Sequence, residues 1–296
     1  MSANAVICFG EILWDSLPAG MFAGGAPINV AYHLQRFGLH PLPVTAVGND
    51  FLGDELIRRF KYWNLATQFV GRVEKPTGAV VVDLNENGIP AYRFLEDTAW
   101  DAIPLPDAPP GEFETALAVV FGTLSQRAQH NRLQLANLRS WLVNARQVFD
   151  VNLRAPYDSL DTVWDLARGC DLIKVNQEEL LKLLNLVVTT DALNVGAKLL
   201  SERTGCPRIC VTAGAKGAGL WWADRWIWEP AQAVQVKDTV GAGDAFLAAL
   251  LHGWLVHGLT PEESLKRSSR LAEFVATQAG AMPAYTVNSE GMPAAR

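Results

Sequence analysis

The chain predicts an α/β protein built on a mostly parallel sheet with helices over both of its faces. Short apolar, β-branched runs alternate with longer amphipathic segments along the sequence, the pattern that parallel crossover units produce. Polar residues and glycines, Asp15, Asn152, Asn176, Gly214 and Gly241, are expected just after strands, and open parallel sheets bind ligands at the carboxyl ends of their strands. Hydrophobic residues make up 49% and charged residues 19% of the 296 positions, enough for a sizeable core and unlike a disordered chain. Residues 1–296 are expected to form a single unit, because α/β folds of this size are often one domain with an inserted element.

The expected strands are 6–9, 44–47, 117–121, 148–151, 172–175 and 209–212, each a short run rich in residues that suit a pleated surface. Between them the 3.6-residue spacing of apolar side chains places helices at 50–63, 126–144, 159–168, 177–184 and 191–204. A further helix is expected over the proline-free apolar run 247–256. One segment breaks the alternation. Residues 79–84 and 91–95 flank Asn85-Glu86-Asn87-Gly88, and an Asn-Gly turn between alternating strands signals a hairpin, so 79–95 is a candidate inserted β-hairpin. Trp221, Trp222, Trp226 and Trp228 cluster in a second hairpin, where alternating aromatics serve packing more often than ligand stacking.

Composition also excludes partners. A net charge of −6 disfavours nucleic acid, whose phosphates it would repel. No uncharged apolar run reaches the roughly 18 residues of a membrane span, and the N-terminus lacks the features of a signal peptide, so a cytoplasmic location and no membrane partner are expected. Cys8, Cys170, Cys206 and Cys210 form no C-x-x-C pair and read as small buried hydrophobes.

The chemistry gathers near the C-terminal third. Residues 238–246, Asp-Thr-Val-Gly-Ala-Gly-Asp-Ala-Phe, run into the apolar helix and place the amides of Gly241, Ala242 and Gly243 at a helix N-terminus. Free N–H groups and the helix dipole favour an anion there, and glycine allows close approach. Asp244 would repel a phosphate that merely binds, yet it suits a base that accepts the proton of an attacking hydroxyl during phosphoryl transfer. The alternative is an acidic residue stabilised by the dipole alone. Upstream, Ala23-Gly24-Gly25-Ala26-Pro27-Ile28-Asn29-Val30-Ala31 offers backbone that can lie against a ligand at Gly24 and Gly25, and an Asn29 amide that both donates and accepts. A plain turn is the competing reading of the glycine pair. Asp15 can accept from two adjacent hydroxyls or act as a turn former.

Residues 23–31 and 238–246, in this order along the chain, resemble the two signatures of the ribokinase-like sugar kinases, the PfkB family, closest to its fructokinase-like branch. The resemblance covers nearly the whole chain. It implies a ribokinase-like three-layer α/β/α sandwich with a mostly parallel central sheet and a small β lid, and ATP-dependent phosphorylation of a primary hydroxyl on a small sugar, most of all fructose. Under it Asp244 is the base, and Gly241, Ala242 and Gly243 form the anion hole. Asp15, Gly24, Gly25 and Asn29 contact the sugar, and the hairpin 79–95 covers it, with Arg93, Tyr92 and Phe94 as candidate contacts. Only eight residues separate Asp15 from Gly24, too few for a long antiparallel pair, so the lid is expected to be small and the usual inference of a lid-built dimer is weak.

The remaining motifs follow from the same resemblance. Asp150, Asn152 and Arg154 look like the Asp-x-Asn-x-Arg stretch of fructokinases and 2-keto-3-deoxygluconate kinases. Arg154 then reaches a phosphate or acidic sugar, against the duller alternative of a surface ion pair with Asp158. Asn176 and Glu179 match the Asn-x-x-Glu motif that organises Mg2+ through water, and equally spell a capping box. Thr212, Gly214 and Gly217 are placed for ATP together with Gly243, and residues 276–281 resemble the segment beside the adenine. Backbone around Asp238 and Val240 would hold K+, but Ala284 replaces a hydroxyl residue of that site and leaves potassium dependence open. The expected partners are a small sugar and ATP, in a monomer or homodimer.

Two other classes compete. A dehydrogenase needs a third glycine where Phe246 stands. A noncatalytic sugar sensor would be expected to lack Asp244, which is present. The sugar itself is left open among fructose, ribose, 2-keto-3-deoxygluconate and a nucleoside.

Overall fold

In the computed structural model, which describes residues 4–17, 20–84, 90–187, 189, 191–288 and 293–295, the chain opens with β1 (Ala5–Phe9), β2 (Leu13–Leu17) and β3 (Gly20–Gly24). Next come α1 (Ala26–Arg36), β4 (His40–Gly48), α2 (Phe51–Tyr62), β5 (Val70–Val73), β6 (Ala79–Leu84) and β7 (Pro90–Phe94). The middle of the chain holds α3 (Gly111–Glu114), β8 (Ala118–Gly122), α4 (Gln129–Trp141), β9 (Arg146–Asp150), α5 (Leu160–Ala167), β10 (Leu172–Asn176), α6 (Gln177–Leu184) and α7 (Ala192–Thr204). It ends with β11 (Arg208–Thr212), β12 (Gly217–Trp222), β13 (Arg225–Pro230), α8 (Ala242–Leu255), α9 (Pro261–Ala276), β14 (Tyr285–Val287) and β15 (Pro293–Ala295).

Nine strands form the central sheet in the order β13-β12-β11-β10-β9-β8-β1-β4-β5. From β11 to β5 every pairing is parallel, and β12 and β13 close the other edge as an antiparallel hairpin. Alternation along each strand sorts its side chains into two cores. On β1, Val6 and Cys8 join the core beneath α1, α2, α8 and α9, while Ala5, Ile7 and Phe9 join the one beneath α3 to α7. The result is the three-layer α/β/α sandwich. Helix α8 is buried without a break from Asp244 to Gly253, which explains why its sequence is apolar on all sides rather than amphipathic. All four cysteines are buried free thiols. Among the described residues no helix is long and apolar enough to cross a membrane.

A second, four-stranded sheet has the order β3-β2-β6-β7. The expected hairpin 79–95 is half of it, β6 paired antiparallel to β7, while its Asn-Gly turn at 85–88 falls outside the described residues. The other half is β2 paired antiparallel to β3, with Leu13 opposite Gly24 and Asp15 opposite Phe22. A short connection suffices because each strand is only five residues long. Asp15 therefore lies inside a strand of the small sheet, not just after a strand of the large one. Gly241 likewise follows an irregular stretch, 231–240, rather than a strand.

Two further expectations are corrected. The helix expected at 126–144 is divided into a 3-10 turn, Leu124–Arg127, and α4. Local polar bonds account for the break. Asn131 donates to the carbonyls of Trp100 and Ser125 and accepts from Ile103 N, and Arg127 pairs with buried Asp101, so the turn is tied to the 99–103 segment. Strand β4 extends back to His40 through Pro41 and Pro43, which a rule confining proline to edge strands hides.

The junction below the small sheet depends on Asp50. Its side chain caps α2 by accepting from Gly53 N (2.7 Å), and it also accepts from Thr77 N (2.8 Å) and Thr77 Oγ1 (2.6 Å). An N-cap is worth roughly 1 kcal/mol, and each orphaned buried donor adds a comparable cost. Asp50→Ala is expected to lower the urea unfolding free energy by about 2 kcal/mol, and an unchanged midpoint would show that water replaces the lost acceptor.

Candidate active site

Gly241 caps α8 in the left-handed conformation, φ 76°, and a Cβ there would stand 2.4 Å from the Ala281 Cβ, so only glycine fits. Ala242 N–H reaches back to Thr239 O at 3.3 Å, whereas the N–H groups of Gly241 and Gly243 have no partner among the described residues. Unpaired amides at the positive end of a helix favour a bound anion.

Asp244 occupies the first turn of this helix and is 8% exposed. Asn29 Nδ2 donates to its Oδ2 at 2.8 Å, joining the N-terminal and C-terminal motifs directly. Among the described residues Oδ1 has no hydrogen-bond partner. Burial, and next the neighbouring Asp150, push Asp244 up to about 6, while Lys174, Asn29 and Arg154 hold it down. At neutral pH the group is ionised but only modestly acidic, the state a general base requires.

Two residues beside Asp244 escaped the sequence reading. Glu11 is buried, accepts from Ala26 N at the start of α1 (3.2 Å), and rises to about 7 chiefly because of burial. Lys174 is buried in β10 and donates to Asp150 Oδ1 at 2.8 Å. A lone cation inside the apolar run 172–175 was the available signal, and a lone acid between two apolar runs was the signal for Glu11.

On the side of the small sheet, Asp15 packs against Gly24, where a Cβ would meet Asp15 Oδ2 at 2.4 Å. Burial raises Asp15 to about 6, with Arg154 opposing and Asp238 reinforcing the shift. Gly25 caps α1, and its carbonyl accepts from Ile28 and Asn29. Asn152 sits just past β9 in the left-handed region, φ 45°, which asparagine tolerates better than most residues. Arg154 is exposed and donates to Leu153 O (2.9 Å), and the alternative pairing with Asp158 is replaced by a Lys182–Asp158 pair. Arg93 is exposed on β7 opposite Val81, Phe94 is half-buried opposite Val80, and the Tyr92 side chain falls outside the described residues.

Along the other strand ends, Asn176 caps α6 and Glu179 completes the capping box. Glu179 Oε2 accepts from Asn176 N (2.9 Å) and Oε1 from Leu153 N (2.7 Å), which ties the loop after β9 to this helix. Each oxygen keeps a second lone pair, so the carboxylate fits contact with a magnesium-bound water, while among the described residues no cluster of three acidic, His or Cys ligands exists for direct coordination. Thr212 ends β11, and Gly214 and Gly217 bracket a 3-10 turn whose Lys216 donates to Gln177 Oε1 (3.2 Å). Asp238 accepts from Val240 N and Gly280 N, each at 3.0 Å, fixing the residues ahead of α8 to the 276–280 segment. Ala284 offers no side-chain oxygen there.

Glu11, Asp15 and Asp244 all bind protons more tightly folded than unfolded. Their contribution to stability is complete below the unfolded carboxyl pKa and is lost as pH rises through about 6 to 7. Asp244→Asn is therefore expected to melt at a higher temperature than the parent at pH 8, with the gap closing near pH 4 in thermal scans. A variant less stable at pH 8 would contradict the direction of the shift.

Residues 18–287 match the model of the pfkB family carbohydrate kinases. A fructokinase of Klebsiella pneumoniae is 30% identical over 267 residues, 84% of each chain. The sugar kinase PH1459 of Pyrococcus horikoshii is 30% identical over 240 residues, 78% of this chain and 73% of that one. Its crystal structure, of a protein called uncharacterized there, superposes with TM-score 0.78 at 28% identity over 94% of this chain and 93% of that one, and it has also been solved with ATP. A fructokinase from Xylella fastidiosa with bound ATP has the same fold, TM-score 0.81 at 23% identity over 95% and 94% of the two chains. A family match over most of the chain, carried by a ribokinase-like fold, makes this chain a PfkB family carbohydrate kinase, a phosphotransferase acting on sugars.

Proposed function

We propose that the chain transfers the γ-phosphate of ATP to a primary hydroxyl of a small sugar, with fructose as the acceptor. The supporting observation is the hydrogen bond of 2.8 Å from Asn29 to Asp244, which brings the sugar-binding motif against the base and the unpaired amides of α8. In this reading Asp15 and Asn29 bind sugar hydroxyls beside Gly24-Gly25, and the small sheet acts as a lid that excludes water. Asp244 takes the proton of the attacking hydroxyl. The N–H groups of Gly241 and Gly243 and the helix dipole neutralise the migrating phosphoryl, with Ala242 holding the turn. Such preorganised donors supply much of the rate enhancement because charge develops in front of them. Asn176, Thr212, Gly214 and Gly217 lie along the nucleotide, and Mg2+ held through water by Glu179 would neutralise its phosphates. Arg93 is a candidate sugar contact from the lid. Backbone at Asp238 and Val240 is the candidate monovalent-cation site, to be tested with potassium.

Arg154 supports a second acceptor. Its charge reaches Glu11, Asp15 and Asp244 from the loop that also carries Asn152, and a guanidinium binds carboxylates in bidentate fashion. An acidic keto-deoxy sugar would use it, whereas fructose would not.

Coupled ADP release measured across hexoses, pentoses, keto-deoxy acids and nucleosides, with magnesium and with or without potassium, decides among acceptors, and fructose is expected to give the highest kcat/KM. Preference for a keto-deoxy acid, lost in Arg154→Ala, would transfer the assignment to the second acceptor. Asp244→Ala is expected to reduce kcat by about 10²- to 10⁴-fold while sugar KM changes little. Turnover like the parent's in that variant would remove the base.

The pH dependence follows from the buried carboxylate. Because Asp244 must be ionised to accept a proton, kcat/KM is expected to rise with pH and level off above about 6. A rate that falls over the same interval would mean that the protonated form is the active one.

A further inference from the structure

We propose that the buried Lys174–Asp150 pair is a positioning element of the catalytic turn, in which the Lys174 ammonium, held by Asp150 against Gly243, sets the charge state of the neighbouring Asp244. The inference rests on Asp244 being the base, and it assigns a role to Lys174, which belongs to none of the motifs read from the sequence, and to Asp150, the first residue of the Asp-x-Asn-x-Arg stretch.

The geometry is specific. Lys174 Nζ lies 3.4 Å from where a Cβ on Gly243 would stand, ordinary contact distance, which sets the ammonium directly beside the residue preceding Asp244. On the adjacent strand, Asp150 accepts from Nζ at 2.8 Å with one oxygen, and its other oxygen is buried and has no hydrogen-bond partner among the described residues. Both side chains are nearly inaccessible, 8% and 5% exposed. An ion pair this deep contributes little net stability, since desolvation offsets the attraction, and an apolar pair of similar volume would serve a purely structural purpose as well. Its place on the sheet face beneath the first turn of α8 supplies the other purpose.

The charged and polar groups that act on Asp244 are Glu11 after β1, Asn29 on α1, Asp150 on β9, Lys174 on β10 and Arg154 beyond β9. Asp150 favours the protonated form of Asp244, and Lys174 favours the ionised form. The two members of one ion pair thus act on the base with opposite sign. Burial would discharge Lys174, but Asp150 and then Asp244 keep it protonated, so the positive charge is maintained.

The test is the acidic limb of the kcat/KM profile between pH 5 and 8 for the parent, Lys174→Met, Lys174→Arg, Asp150→Asn and the double variant Lys174→Met/Asp150→Asn, with Asp244→Asn as control. Lys174→Met is expected to move the limb upward by about one pH unit, and Asp150→Asn to move it downward. Lys174→Arg keeps the limb in place, and the double variant returns it toward the parent's position, with sugar KM unchanged throughout. If Lys174→Met does not fold, Asp150→Asn and the double variant, which leaves no lone buried charge, carry the comparison. Limbs that coincide in Lys174→Met and Asp150→Asn, while Asp244→Asn is inactive, would reduce the pair to a stitch between β9 and β10. Normal turnover in Asp244→Asn would instead overturn the base and this role with it.

Discussion

The hydrogen bond from Asn29 to Asp244 spans 215 positions of sequence and joins the first turns of α1 and α8 on one face of the sheet. A buried carboxylate needs a donor or a cation, because burial removes the water that would stabilise its charge. Asn29 supplies the donor, and Lys174 contributes the cation from the strand beneath. The position of Asn29 is fixed in turn by the cap at Gly25, and that of Asp244 by the left-handed turn at Gly241. Each helix start therefore orients a polar side chain, and the two starts meet, while at α8 the same turn leaves the amides of Gly241 and Gly243 without a partner among the described residues.

Electrostatically the site is built against itself. Glu11, Asp15 and Asp244 are all harder to ionise than in water, chiefly through burial. The fold tolerates this because the three-layer architecture buries large apolar cores on both faces of the sheet, against which one costly cluster is a small term. Glu11 and Asp244 lie beyond the ends of the large sheet's strands and Asp15 on the small sheet, so these polar groups can be arranged independently of the two cores.

The sequence was most legible where local signals agree with the long-range fold. Helix 177–184 was located to the residue because Asn176 and Glu179 cap it, and the parallel strands stood out as apolar runs. The two glycine motifs were legible as places of close approach, and the neighbours found there are the chain's own Asp15 and Ala281, each 2.4 Å from where a Cβ on Gly24 or Gly241 would stand. Less was legible where partners are distant. Lys174 was hidden in an apolar strand because its counter-ion, Asp150, lies on a different strand, and the division before α4 depends on bonds from Asn131 to residues 100 and 103. The strands at 13–24 were missed because a five-residue antiparallel pair leaves little periodicity to read.

The most direct test of this arrangement is a crystal structure of the chain with fructose and a nonhydrolysable ATP analogue. The account predicts the primary hydroxyl within hydrogen-bond reach of Asp244, about 3 Å, and the γ-phosphate facing the amides of Gly241 and Gly243. A hydroxyl held instead by Glu11 or Asp15, with Asp244 touching no ligand, would contradict it.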